Sequence, residues 1–410
     1  MLNQRNRALL IVTGVSLTAL GAAVAWGDPQ FAESVSPAPA VQTSSGSPLS
    51  FAPIVQEVSP AVVSIDIVGH TSPSKVAMSE GDGASPDGQG MPFSFGSPGG
   101  LDSQQSQGPS DGRPLPKIHA AGSGFFISSN GYIVTNNHVV EDADTITVHT
   151  ADNQTYKAHL VGRDPATDIA VVKVDGGPFR YVNFENADKP RVGDWVVAVG
   201  NPFGLGGTAT AGIVSALGRE DVADSPLLDY MQIDAPINRG NSGGPTFDTH
   251  GRVVGVNTAI YSPSGGSVGI GFDIPAGVAS SIAQQLIANG HVDHGYLGAT
   301  VQQITPELAE SLGVKSTDGA IIDALAPGGP AQRAGLRDGD LVTAVNGKLV
   351  RSPTEITRAI AFAHPGDRLD LTVLRDGRSQ SLIARAGLRP SEETLARDSE
   401  PQGDDNQGGG

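Results

Sequence analysis

From Ala120 onward the hydrophobic positions fall in short runs broken by Gly, Asn, Asp and Pro: "GSGFFISSNGYIVTNNHVV", "TITVHTADNQTYKAHLVG", "DIAVVKVD", "WVVAVGNP", "TATAGIVSALG", "YMQIDAPI", "RVVGVNTAIY" and "VGIGFDIP". Runs of this kind, rich in β-branched residues and about 10 to 20 residues apart with little helix between, predict strands of a β-barrel or sandwich. Asn130-Gly131, set between two of them, predicts a hairpin. "FAPIVQEVSPAVVSIDIVG" places a short amphipathic stretch and another apolar strand upstream. Helical periodicity first becomes clear in "AGVASSIAQQLIANG", where Gly290 suits the C-terminal cap.

A second unit runs from about Gly295 to Leu388. "TPELAESLG" predicts a short helix, and "PGGPAQRAGLRDGDLVTAVNGKLV" a helix stopped at Gly335, a turn and a strand. "SPTEITRAIAFA" predicts a helix with a serine cap, and "RLDLTVLRDGRSQSLIAR" a hairpin about Asp376-Gly377. Between and around these units the patterning lapses. Residues 28–50 are a Pro/Ser/Ala-rich linker, and 70–117 form a long polar, Gly-rich loop whose aromatics are Phe93 and Phe95. Residues 389–410 read as a disordered acidic tail.

The first 27 residues differ again. "MLNQRNR" carries two arginines, and the uncharged "ALLIVTGVSLTALGAAVAWG" follows, with Ala23-Val24-Ala25 in the small-x-small form of a cleavage site. This segment predicts export, as a cleaved signal peptide or as an uncleaved membrane anchor.

The 43 acidic against 26 basic residues give a formal charge of −17, which argues against nucleic acid or an anionic surface as partner. The chain has no cysteine, so thiolate metal sites, disulfides and cysteine nucleophiles are excluded. No cluster of metal ligands is visible, and no cofactor is expected.

"RGNSGGPTFDTHGRVVGV" (239–256) sets one serine, Ser242, among glycines at the entrance to a strand. A serine hydroxyl needs an adjacent base, an orienting group and donors for a developing oxyanion. Gly240, Asn241 and Ser242 are the candidate oxyanion-hole segment, the glycine baring backbone so that its N–H and that of Ser242 converge. The fragment also fits the G-x-S-x-G elbow, but that motif requires a helix after the serine, whereas Pro245 and "RVVGV" follow here. Upstream, His138 ends an apolar strand in "YIVTNNHVV", and Asp168 stands at the mouth of another in "RDPATDIAVVKV". Asp164, beside Pro165, reads as a turn residue. The order His, Asp, Ser is that of chymotrypsin-like double barrels.

With "TNNHVV", "DPATDIAVVKV", "GNPFGLGGTATAGIVSA", "INRGNSGGPTFDTHGRVVGVNTAI" and "GIGFDIP" in hand, the chain resembles the HtrA/Deg serine proteases over residues 50–388. The resemblance implies a mainly β chain: a chymotrypsin-like double β-barrel protease domain over 51–288, then one α+β PDZ domain over 289–388. It implies His138 as general base, Asp168 as its orienter and Ser242 as nucleophile. Asn241 stands where trypsin-type enzymes carry Asp, so activation through an ion pair with a new N-terminus is unavailable. Pro236 and Ile237 lie where a specificity-pocket floor would be, without a carboxylate, so cleavage after small or medium aliphatic residues is expected. Thr258, Ala259 and Ile260 are the strand expected to pair with substrate backbone. Gly295-Tyr296-Leu297-Gly298 resembles a PDZ carboxylate-binding loop, expected to take apolar C-termini.

The implied partners are unfolded or misfolded polypeptides, in the periplasm, with a homotrimer or a larger assembly. Two features pull apart. A single PDZ domain resembles the anchored, signalling branch of the family, and the long 70–117 loop its quality-control branch. Degradation of damaged envelope proteins, regulated cleavage of one signalling protein, and a chaperone or peptide-binding scaffold with secondary proteolysis are the alternatives at this point.

Overall fold

Ile169–Val174 reads IAVVKV, apolar with almost no alternation, because it is a strand buried on both faces. Ile169 and Val171 point into one core and Ala170, Val172 and Val174 into another. The second of these is the inside of a barrel, and the first is a shared core outside it.

The computed structural model describes residues 50–70 and 117–390, apart from 186, 202–206, 221, 223–224, 226, 239, 264–265, 312 and 315, together with Thr394. The N-terminal apolar segment, nearly all of the 28–50 linker, the 71–116 loop with Phe93 and Phe95, and almost all of the acidic tail lie outside these residues. Among the described residues no helix is long and apolar enough to cross a membrane.

A short helix α1 (Ala52–Val58) leads into the first barrel. Its strands are β1 (Val62–His70), β2 (Lys117–Phe126), β3 (Tyr132–Asn136), β4 (Ala143–His149), β5 (Thr155–Asp164) and β6 (Ile169–Val174), closed in the order β1-β2-β3-β6-β5-β4. The hairpin expected at Asn130-Gly131 is present between β2 and β3. Gly131 takes the positive φ, 99°, in the turn that the Ile127–Tyr132 hydrogen bond closes. A one-turn helix α2 (Asn137–Val140) follows β3. The second barrel takes β7 (Trp195–Gly200), β8 (Thr208–Arg219), β9 (Tyr230–Ile233), β10 (Pro245–Phe247), β11 (Val253–Ile260) and β12 (Gly271–Pro275), closed as β10-β11-β12-β9-β8-β7. Closure removes the exposed edges of an open sheet.

Period-two alternation joins the barrels as well as filling them. Phe126, Ile133 and Val172 fill the first barrel, and Met231, Ile233 and Ile237 the second. Phe125, Ile169 and Val171 face outward against Val197, Phe247 and Ile274, and helix α3 (Ala276–Asn289) lays Ala279, Ile282, Ala283 and Leu286 over the same core. Gly290, at φ +79°, ends α3 as expected. Truncating a fully buried residue such as Phe125 to Ala removes contacts on both sides of the joint, a change that typically costs about 3–5 kcal/mol.

The rest is an α+β unit. A two-residue strand β13 (Gly295–Tyr296) pairs with β20 (Gly387–Leu388), and the main sheet is ordered β14 (Ala299–Gln303), β15 (Ala320–Leu325), β16 (Leu341–Val345), β18 (Arg368–Arg375), β19 (Arg378–Arg385), with β17 (Lys348–Leu349) beside β16. Its helices are α4 (Pro306–Ser311), α5 (Pro330–Arg333) and α6 (Pro353–Ala361). Ser352 caps α6, accepting from Glu355 N–H at 3.2 Å. Asp376 and Gly377 both take positive φ in the β18–β19 turn, as a two-residue hairpin requires. Strand β14 lies at the sheet edge, and α6 packs over β13 and β14.

Candidate active site

The local fold is organised around Asp168. At φ +53° it turns its carbonyl back to accept from Asn136 Nδ2 and from the Asn137 N–H, both at 3.0 Å. The two asparagines of "TNNH" therefore fasten the start of β6 to the end of β3. The Asp168 carboxylate then accepts from the His138 N–H at 3.0 Å and faces His138 Nδ1 at 2.8 Å. A third donor comes from the other barrel: Thr258 Oγ1 donates to Asp168 Oδ2 at 2.6 Å. With Nδ1 set against a carboxylate, the ring proton belongs there and Nε2 is left as acceptor. The His138 side chain is 37 % exposed against 20 % for Asp168, so the imidazole faces outward while its anchor is covered.

Ser242 approaches from the second barrel in a loop held by backbone bonds. Its carbonyl accepts from Ser123 N–H at 2.8 Å, and Gly243 N–H donates to Asn257 O at 2.8 Å. Gly243 has φ +81°, and a Cβ there would stand 2.3 Å from both Ser123 O and Thr135 Oγ1 and 3.0 Å from Asn136 N. No larger residue fits, and the same closeness sets the serine's neighbour against the end of β3, two residues before His138. Gly240 takes φ +94°. The Asn241 N–H donates to Asn238 O at 3.0 Å. The Asn241 side chain is buried against Gly200, where a Cβ would lie 2.2 Å from its Oδ1.

Ile237 is 1 % exposed and packs with Met231, Ile233 and Ala235 inside the second barrel, against Gly271. Thr258, Ala259 and Ile260 continue β11 past its last pair with β10, Val256–Pro245. There they are bonded on the β12 side only, among the described residues. The sequence singled out Thr258 for its backbone and missed its hydroxyl. The register shift between Asn257 and Ala259 breaks the alternation from which a side-chain direction would have been read.

Gly295 and Tyr296 form β13, and Leu297 and Gly298 turn the chain into β14, Gly298 at φ +72°. The carbonyls of Leu297 and Gly298 accept from Ala331 and Ala326 N–H at 2.8 and 2.9 Å, which fixes the loop on the α5 side. A Cβ on Gly295 would meet the Ile360 carbonyl at 2.2 Å, so α6 lies directly over the loop.

Asp164 stands at a turn, as expected, and accepts there from Thr167 Oγ1 at 2.5 Å, but it also has a distant partner. It is 4 % exposed at the end of β5, and His294 Nε2 stands 3.0 Å from both its oxygens, 130 residues on in sequence. His294 Nδ1 faces the Ala361 carbonyl at 3.3 Å. Burial opposes the charge on His294, but the Asp164 carboxylate and the Ala361 carbonyl outweigh it and raise its pKa above the ordinary imidazole value. On the other side of α6, Arg358 pairs with Glu220 and Asp229 between β8 and β9. Helix α6 is thus fastened to both barrels. Among the described residues no group of His, Asp and Glu could hold a metal ion.

Two closed six-strand barrels, followed by a PDZ-type sheet, define a trypsin-like peptidase carrying a second, PDZ-type domain. The profile of the Trypsin-like peptidase domain matches residues 122–256, and that of the PDZ domain residues 321–375. A Rhizobium meliloti protein described as "Probable periplasmic serine endoprotease DegP-like" is 44 % identical over 388 residues, 88 % of this chain and 74 % of the relative. A Brucella melitensis protein of the same description is 43 % identical over 97 % of this chain and 80 % of its own. Among solved structures, "HtrA-type protease AlgW with decapeptide" superposes with a TM-score of 0.66 at 37 % identity, covering 84 % of this chain and all of that one. A serine endoprotease from Yersinia pestis gives 0.57 at 30 %, over 84 % of this chain and all of its own. The chain belongs to the DegP-like, HtrA-type family of periplasmic serine endoproteases.

Proposed function

We propose that this endoprotease cleaves extended segments of unfolded or damaged envelope polypeptides after small or medium aliphatic residues. Ser242 Oγ attacks the scissile carbonyl as His138 Nε2 takes its proton. Asp168 holds the Nδ1–H tautomer and stabilises the imidazolium, and the proton then passes to the leaving amine. The N–H groups of Gly240 and Ser242 receive the oxyanion. Substrate backbone adds along the open edge of Thr258–Ile260, with Ile237 behind the pocket for the residue before the cleaved bond. An apolar C-terminus lies along edge strand β14 with its carboxylate in the Gly295–Gly298 loop, a recognition by strand addition.

The observation that carries the reading is the three-donor hold on Asp168: His138 N–H, His138 Nδ1 and, from the opposite barrel, Thr258 Oγ1. A carboxylate so placed sets one tautomer and one ring orientation, which a general base needs. Digestion of unfolded casein by wild type and by Ser242→Ala tests the assignment, and casein cleavage surviving in the variant would remove it. Peptide reporters ending in Val or Ala are expected to turn over faster than those ending in Lys or Arg. The reverse order would overturn the pocket reading alone.

A further inference from the structure

We infer that Ser123 is a positioning residue for the oxyanion site: its hydroxyl fixes the peptide joining Gly240 to Asn241 and ties it to Asn201. The inference rests on the serine-peptidase reading above and adds to it a residue with no sequence signal. Ser123 lies on β2 in the first barrel and is 0 % exposed. Its N–H and hydroxyl are engaged across the barrel junction, and its carbonyl within the first barrel. Its N–H donates to Ser242 O at 2.8 Å, and its carbonyl accepts from Thr135 Oγ1 at 2.7 Å. Its hydroxyl donates to Gly240 O at 2.6 Å and accepts from Asn201 N–H at 2.9 Å. Asn201 is itself buried, and its Oδ1 accepts from Gly207 N–H at 3.0 Å.

The consequence follows from which peptide is held. The Gly240–Asn241 peptide is gripped at both ends, its carbonyl by the Ser123 hydroxyl and its N–H by Asn238 O. Glycine has the widest backbone range of any residue, so nothing intrinsic to Gly240 keeps its own N–H aimed at one point. With the following peptide plane fixed, that direction is set by the two torsions of Gly240 alone, and φ stands at +94°. The same serine also holds Ser242 through its carbonyl. Both proposed oxyanion donors therefore take their bearing from one side chain and backbone of the opposite barrel. A serine hydroxyl suits the task because it can donate to the Gly240 carbonyl while accepting from Asn201, and alanine can do neither. Donors fixed before the reaction stabilise a developing charge without reorganising.

The test compares wild type, Ser123→Ala and Ser123→Cys, the last keeping volume with only a weak donor. A Val- or Ala-terminated peptide reporter gives kcat and KM, normalised to sites titrated with a fluorophosphonate. A peptide boronic acid, which forms a tetrahedral adduct, and the cleaved product peptide give two inhibition constants. Ser123→Ala is expected to lose about 10- to 100-fold in kcat with KM within about twofold of wild type, less than or equal to the loss of a donor itself. The boronate should weaken by the same factor while the product peptide is unaffected, and Ser123→Cys should fall between. A kcat per titrated site within about threefold of wild type overturns the inference. So does a loss confined to the titratable fraction or to the melting temperature, since that is what a merely structural serine would give. Where the alanine variant does not fold, the cysteine variant decides on the same readings. Failure of the wild type to react with the fluorophosphonate sinks the underlying reading, and is seen before any variant is made.

Discussion

Asp273 should make the second barrel less stable as pH rises. It lies on β12 opposite Asn257 of β11 and Met231 of β9, is 0 % exposed, and packs against the backbone of Gly255. Neither carboxylate oxygen has a hydrogen-bond partner among the described residues. Burial pushes its pKa up from 3.8 to about 7, opposed weakly by the Thr246 hydroxyl, which is directed to Asn257 Oδ1 at 2.9 Å. The folded state then keeps a proton that the unfolded chain releases. Stability is therefore fully present below about pH 4, falls as pH climbs, and levels off above about pH 7. At about 1.4 kcal/mol per pKa unit the loss approaches about 4 kcal/mol. Relaxation around a buried charge lowers that figure, so about 2–4 kcal/mol is the expected range.

Asp273→Asn keeps the shape and removes the titration. It should match wild type near pH 4 and exceed it by that amount at pH 8, with the gap opening between. Urea unfolding in a Ser242→Ala background, followed through Trp195 on β7 at steps from pH 4 to 8, measures this without self-digestion. An offset that stays constant from pH 5 to 8 refutes the reasoning, because it means the carboxylate carries the same charge folded and unfolded.

Asp168→Asn should cut kcat about 10⁴-fold per titrated site with little change in KM, since the amide can no longer hold the Nδ1–H tautomer. Thr258→Val removes one hydrogen bond to the same carboxylate and should cost about tenfold in the same assay. His294 faces an acceptor at each ring nitrogen, Asp164 and Ala361 O, so it bonds both only as the imidazolium. With its pKa raised, this contribution is complete below about pH 6.5, the ordinary imidazole value, and is lost as pH rises through the higher folded value. His294→Gln should therefore raise amide exchange at Gly295 and Tyr296 more at pH 6 than at pH 9, and an equal increase at both contradicts the charge assignment.

The barrels were legible because alternation and turn residues are local properties. "DIAVVKVD" announced a strand, and Asp376-Gly377 a hairpin, with no knowledge of partners. His138, Asp168 and Ser242 were singled out through context and order, each beside a strand end, and the structure joins the first two. Gly240, before Ser242, was read as baring a donor. Gly243, after it, has a different reason, since Ser123 O and Thr135 Oγ1 occupy the space a side chain would need. Asp164 and Thr258 were each only half read, for one shared cause. The partner missed in each case lies 130 and 90 residues away, and neither a turn signal nor a two-residue period carries that information. Ser123 sat unnoticed in "GSGFF" for the same reason.

The proposed base and its carboxylate belong to the first barrel, and the nucleophile to the second, more than seventy residues later. Each half alone is chemically inert. A chain emerging across a membrane carries no working scissors until its last strand has closed, and a molecule that begins to melt at the seam disarms itself before it comes apart. Separating the blade from the anvil makes sound assembly the licence to cut.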